Sequence, residues 1–73
     1  LQYLTDFYTD GLIEKLKKYE FDLDINYRSL TESRVRELHD NGVAVNCWTC
    51  DSLDRAEELV AWGVDFITSN ILQ

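Results

Sequence analysis

The chain has 73 residues, enough for one small domain at most, and no apolar run approaches the length that spans a membrane. Its net charge of -7 and pI of about 4.4 argue against nucleic acid or an anionic membrane surface as the main partner, because both need clustered Lys and Arg. A hydrophobic content of 45% is too high for disorder.

The chain contains no Met, so we expect a processed or excised piece of a longer protein. Leu1 to Leu4 reads as the tail of a strand. A helix is expected from near Asp10, with Leu12, Ile13, Leu16 and Tyr19 on its apolar side. Phe21 to Tyr27 alternates, with Phe21, Leu23, Ile25 and Tyr27 on one side and Asp22, Asp24 and Asn26 on the other. Thr31 is placed to cap a helix starting at Glu32. Leu30 and Val35 are spaced for a hydrophobic staple, and Gly42 is the expected stop. Val43 to Thr49 is a Val-rich strand. Asp51 or Ser52 caps a third helix with a stripe of Leu53, Ala56, Leu59 and Val60, which Gly63 ends. Val64 to Thr68 is the last strand.

Strands alternating with helices predict an α/β fold with a parallel sheet and right-handed crossovers. Strand starts about 21 to 22 residues apart are near the minimum for such a unit, which favours a slice of a (β/α)8 barrel over an open doubly wound sheet. Four strands do not close a barrel. The chain is therefore expected to need the rest of a barrel, or a second copy, to cover its open side.

Several residues invite a chemical reading. Cys47 and Cys50 form a C-x-x-C, the pattern of a thiol oxidoreductase. Strand alternation places them on opposite faces, Cys47 is far from the next helix N-terminus, and no second pair completes a zinc site. Buried cysteines behaving as small hydrophobes are the favoured reading. Two cysteines without a disulfide framework, and with no signal segment, fit a reducing compartment such as the cytoplasm. Asp22, Asp24 and Asn26 imitate the start of a calcium loop, but Tyr27 stands where its Gly belongs and Ser33 where its closing acid belongs. The single histidine, His39, falls in the last turn of a helix with no nucleophile evident beside it. Asp10 and Asp51 read as helix caps, and Asp6 has no such explanation. Trp48 falls on the side of its strand shared with Ala44 and Asn46.

The stretches "GVAVNCWTCDS" and "WGVDFITSNI" resemble the C-terminal end of the glycerophosphodiester phosphodiesterases. The matching residues are Gly42, Val45, Trp48, Thr49, Gly63, Val64, Asp65, Ile67 and Thr68. "SLTESRVRELHDNG" is similar to the family's sixth helix, and Tyr3 to Thr5 to the end of its fifth strand. Cys50, Asp51, Phe66, Ser69 and Ile71 depart from its pattern.

The resemblance implies that residues 1–73 are one fragment, roughly strands five to eight of a TIM barrel. It also implies that the whole enzyme hydrolyses glycerophosphodiesters to an alcohol and glycerol 3-phosphate, in lipid and glycerol metabolism. A divalent metal (Mg or Ca) is implied for the full-length family only, with no ligand in this chain. The family's catalytic residues belong to the first half of the barrel, so the resemblance supplies none here and the fragment alone is expected to be inactive. The one site residue that carries over is Trp48, which lines the pocket for the glycerol part of the substrate. The alternatives are a non-catalytic, self-associating βα module and, less favoured, the C-x-x-C oxidoreductase.

Overall fold

The computed structural model describes residues 2–70. Four strands alternate with three α-helices in the order β1 (Gln2–Thr5), α1 (Leu12–Tyr19), β2 (Asp22–Asn26), α2 (Glu32–Asp40), β3 (Val45–Cys50), α3 (Leu53–Ala61) and β4 (Phe66–Ser69). A short 3-10 turn, Tyr27–Ser29, follows β2. All neighbouring strands are parallel and lie in the order β1-β2-β3-β4. A doubly wound sheet reverses its strand order to place helices on both faces. Sequential order with right-handed crossovers instead keeps every helix on one face, as in a section of a barrel wall.

Burial follows that geometry. Leu23, Ile25, Val45 and Cys47 are buried under the helices, together with Leu12, Leu16, Val35, Leu38 and Leu59. The other strand face carries Leu4, Asp24, Asn46 and Phe66 in one register row, and its two ends, Leu4 and Phe66, are 68% and 67% exposed. This is the layer that a closed barrel packs at its centre.

Local chemistry sets the helix ends. Thr31 Oγ1 accepts from Arg34 N at 3.2 Å, and Leu30 and Val35 are both buried, as the expected cap and staple require. Gly42 and Gly63, at φ of 74° and 88°, follow α2 and α3 in the left-handed region where a Cβ is costly.

Some expectations change. Helix α1 starts at Leu12 behind Gly11, itself left-handed at φ 81°, and has no side-chain cap; Asp10 is therefore not its cap. Ser52, not Asp51, caps α3. Tyr19, Leu53 and Val60 belong to the predicted apolar stripes, yet they are 55%, 58% and 65% exposed. Each stripe is wider than the surface that three helices and one sheet face offer for packing, so its flank stays in water. Tyr27 leaves the strand for the 3-10 turn but remains buried. Ile71, the last departure noted from the family pattern, lies outside the described residues.

The His39–Asp65 pair was not foreseen. Asp65 Oδ2 accepts from Val45 N at 2.7 Å and lies 2.7 Å from His39 Nε2. One carboxylate thus fastens the lead into β4 to the start of β3 and the end of α2. Desolvation raises its pKa, but the Val45 and His39 hydrogen bonds outweigh that and hold it below the ordinary carboxylate value.

Candidate functional site

In a parallel βα architecture the chemistry is built where the strands end, because the loops there are free of the packing that fixes the opposite rim. Here that rim gathers Asp6 after β1, Asn26 to Ser29 after β2, and Trp48 to Ser52 at the end of β3. Asn26 and Trp48 are register partners on the open face. The Asn26 side chain is held at both ends: its Nδ2 donates to Asp6 Oδ1 at 3.3 Å, and its Oδ1 accepts from Arg28 N at 3.0 Å. Ser29 Oγ donates to the Asp6 carbonyl, tying the two loops a second time. Asp6, unexplained in the sequence, is therefore the link between the first and second loops.

Trp48 is half-buried on that face, beyond Asn46. Its indole Nε1 is buried and has no acceptor. An unpaired buried donor costs about 1–3 kcal/mol, so the ring is held there at the expense of its own hydrogen bond. Outside the sheet, Tyr27 Oη donates to Asp51 Oδ1 at 3.4 Å and receives Arg28 Nε at 3.4 Å. The Arg55 guanidinium lies 5.6 Å from the Tyr27 ring and 5.6 Å from that of Trp62. Asp51 thus steadies the loop after β3 by holding Tyr27.

The cysteines are placed differently from the expectation. Cys47 pairs with Ile67 and Cys50 with Ser69, so three steps along β3 match two along β4. That bulge inserts one residue and turns Cys50 back to the helix-covered face, the same face as Cys47. Both are buried, at 1% and 0% exposure, and both are free thiols. Burial pushes the Cys47 thiol up to about 11, and the neighbouring Cys50 adds to the rise. An attacking thiolate needs the opposite shift.

His39 lies at the other rim, engaged with Asp65, and is far from the strand ends that carry Trp48. Asp22, Asp24 and Asn26 form a regular strand with no loop geometry. Among the described residues, no three His, Cys, Asp or Glu side chains converge in a way that could hold a metal ion.

A hollow of about 430 Å³ lies between α1 and α2, lined by Tyr8, Gly11, Glu14, Lys17, Glu37 and Asn41 among others. It is on the helix side and does not reach Trp48. Tyr8 closes its upper end by donating to Glu37, under the Arg34 guanidinium 4.7 Å away. Burial, then the Glu37 hydrogen bond, push the Tyr8 phenol up to about 12. That contact ties the β1–α1 loop to α2.

Among the described residues, no helix is long and apolar enough to cross a membrane. No family model and no curated protein matches the chain. Among solved structures it is similar to a protein of Silicibacter pomeroyi DSS-3 provisionally named a glycerophosphoryl diester phosphodiesterase. The two superpose with a TM-score of 0.80 at 22% identity, over 93% of this chain and 26% of the other. The likeness shows the fold: four parallel strands with intervening helices, matching part of a TIM barrel. The chain spans about a quarter of the length of that structure.

Proposed function

We propose that this chain is the C-terminal wall of a glycerophosphodiester phosphodiesterase-like barrel, and that Trp48 lines the glycerol side of its substrate pocket. The observation that carries the reading is the position of Trp48. It stands on the open face at the C-terminal end of a barrel-type strand, within a fold that superposes on a structure bearing that name. The "NCWT" stretch that resembles the family lies on β3, and "GVDFIT" covers the lead into β4 and its first three residues.

In this reading the complete enzyme hydrolyses a glycerophosphodiester to an alcohol and glycerol 3-phosphate. A divalent metal, Mg or Ca, would polarise the phosphoryl oxygens. No group of side chains in the described part of this chain fits that ion, so the reading places the ion on the remainder of the barrel. This chain supplies the wall, and the indole plane covers the carbon edge of a bound polyol. The chain alone is accordingly inactive.

The test is a chimera. This chain replaces the corresponding quarter of the Silicibacter pomeroyi protein, and release of glycerol 3-phosphate from glycerophosphocholine is measured. The expected result is activity that falls with Trp48→Ala, chiefly through a higher KM. Unchanged KM in the Trp48→Ala chimera refutes the pocket role, and hydrolysis by the isolated 73-residue chain refutes the division of labour.

A second reading follows from the exposed row of Leu4 and Phe66 and the two unpaired edge strands: a non-catalytic module that covers its open face with a second copy. Sedimentation decides it, since a folded monomer at micromolar concentration is incompatible with obligatory self-association.

A further inference from the structure

Asp24 sits at the middle of the open face. In its register row it lies between Leu4 and Asn46, with Phe66 beyond, and on its own strand Asp22 and Asn26 share its face. The row is apolar at its two edges, where Leu4 and Phe66 are exposed, and polar at its centre, where Asp24 and Asn46 are half-buried. None of the four strands contains a Lys or Arg. All seven basic residues lie on the helices or the 3-10 turn. Among the described residues the ion pairs are His39–Asp65 and Arg55–Glu58, and neither includes Asp24.

This pattern suits a face in contact with water. Closing a barrel fills its centre with side chains and removes that water. A carboxylate stripped of water needs an opposite charge, together with hydrogen-bond donors, to replace it. Within this chain only neutral amides stand beside Asp24, and the Asn26 amide is already engaged by Asp6. A second copy presents the same row, with Asp22 and Asp24 again and no base on any strand, and adds a further net charge of -7. It does not supply what the carboxylate lacks.

We propose that the open face docks against a surface carrying a Lys or Arg at the level of Asp24, and that this surface is the remaining part of the barrel, not a second copy of the chain. The inference rests on the wall reading given above and adds the charge pattern of the seam. This chain brings the acid of the inner layer and its partner brings the base. Leu4 and Phe66, at the two edges of the row, pack against apolar side chains of the strands that pair with β1 and β4.

The chimera with the Silicibacter pomeroyi protein tests this, through its crystal structure and its thermal unfolding followed by circular dichroism. The expected structure has a Lys or Arg nitrogen within about 4 Å of the Asp24 carboxylate. Asp24→Leu should lower the thermal midpoint by roughly 5–15 °C, because it leaves that cation buried and unpaired. Asp24→Asn should lower it less. Without a base on the partner surface, Asp24→Leu removes only an unpaired acid, and the midpoint rises instead. A raised or unchanged midpoint, or an Asp24 carboxylate with no base beside it, overturns the inference; hydrolysis of glycerophosphocholine by the same chimera then leaves the wall reading standing. A wild-type chimera that does not fold overturns both. The isolated chain should sediment as a monomer, and a homodimer that Leu4→Ser with Phe66→Ser dissolves overturns the choice of partner.

Discussion

Replacing Asp65 by Ala tests the least visible support of this fold. The carboxylate accepts from Val45 N at 2.7 Å, and Val45 is fully buried. Alanine leaves that N–H without an acceptor inside the sheet, at about 1–3 kcal/mol. The His39 contact adds little, because its partners are 36% and 47% exposed and exposed pairs contribute roughly 0–1 kcal/mol. The expected loss is therefore about 2 kcal/mol, set mainly by the backbone donor. A domain of this size has roughly 4–11 kcal/mol at typical stabilities per residue. The loss should lower Tm by roughly 8–16 °C.

The pH dependence fixes the mechanism. Asp65 has a depressed pKa when folded, so its stabilisation is present above the ordinary carboxylate pKa of about 3.9 and is lost as pH falls through the lower folded value. The gap between wild type and Asp65→Ala, from urea unfolding followed by circular dichroism, should stay constant from pH 7 to 5. It should close only below about pH 4. Equal stability at pH 7, or a gap that widens on acidification, refutes the reasoning.

Other consequences follow from the same geometry. Thr31→Ala removes the acceptor for Arg34 N and should cost about 1 kcal/mol in urea unfolding. Cys47 and Cys50 should resist iodoacetamide at pH 7.5 in the folded chain and react fully in denaturant, as mass spectrometry will show; rapid native labelling contradicts the burial described above. Leu16→Ala, at a fully buried position between α1 and the sheet, should cost about 2–5 kcal/mol in urea unfolding. Leu4→Ser together with Phe66→Ser should shift any oligomer seen in sedimentation toward monomer, since these are the large apolar side chains exposed on the open face; an unchanged oligomer places its interface elsewhere.

The fold was legible because its signals are local. Period-two alternation over residues 22–26, the Thr31 cap and the stops at Gly42 and Gly63 each follow from short-range sterics and hydrogen bonding, and each lies where the sequence puts it. Two features depend on partners distant in sequence. Cys47 and Cys50 read as opposite-facing because alternation assumes regular pairing; the bulge exists only in the match between β3 and β4. Asp65 reads as one more acid before a strand until β3 brings Val45 N to it across 20 residues. A Gly-Val-Asp before a final strand, with a His in the helix upstream, was the available signal for that clamp.

Of the candidate site, the sequence marks a single residue, for a related reason. Trp48 stands out in sequence through the family resemblance alone. Asp6 and Asn26 have no such mark. They become neighbours of Trp48 only when β1 and β2 align with β3, and only then does Asn26 fasten the exposed Asp6 carboxylate. The cysteines show the converse. "NCWTC" carries a well-known pattern, but burial removes the reactivity that would give the pattern meaning. What separates the two cases is solvent access: the bulge turns Cys50 under the helices beside Cys47, whereas Asp6 stays exposed at the open rim.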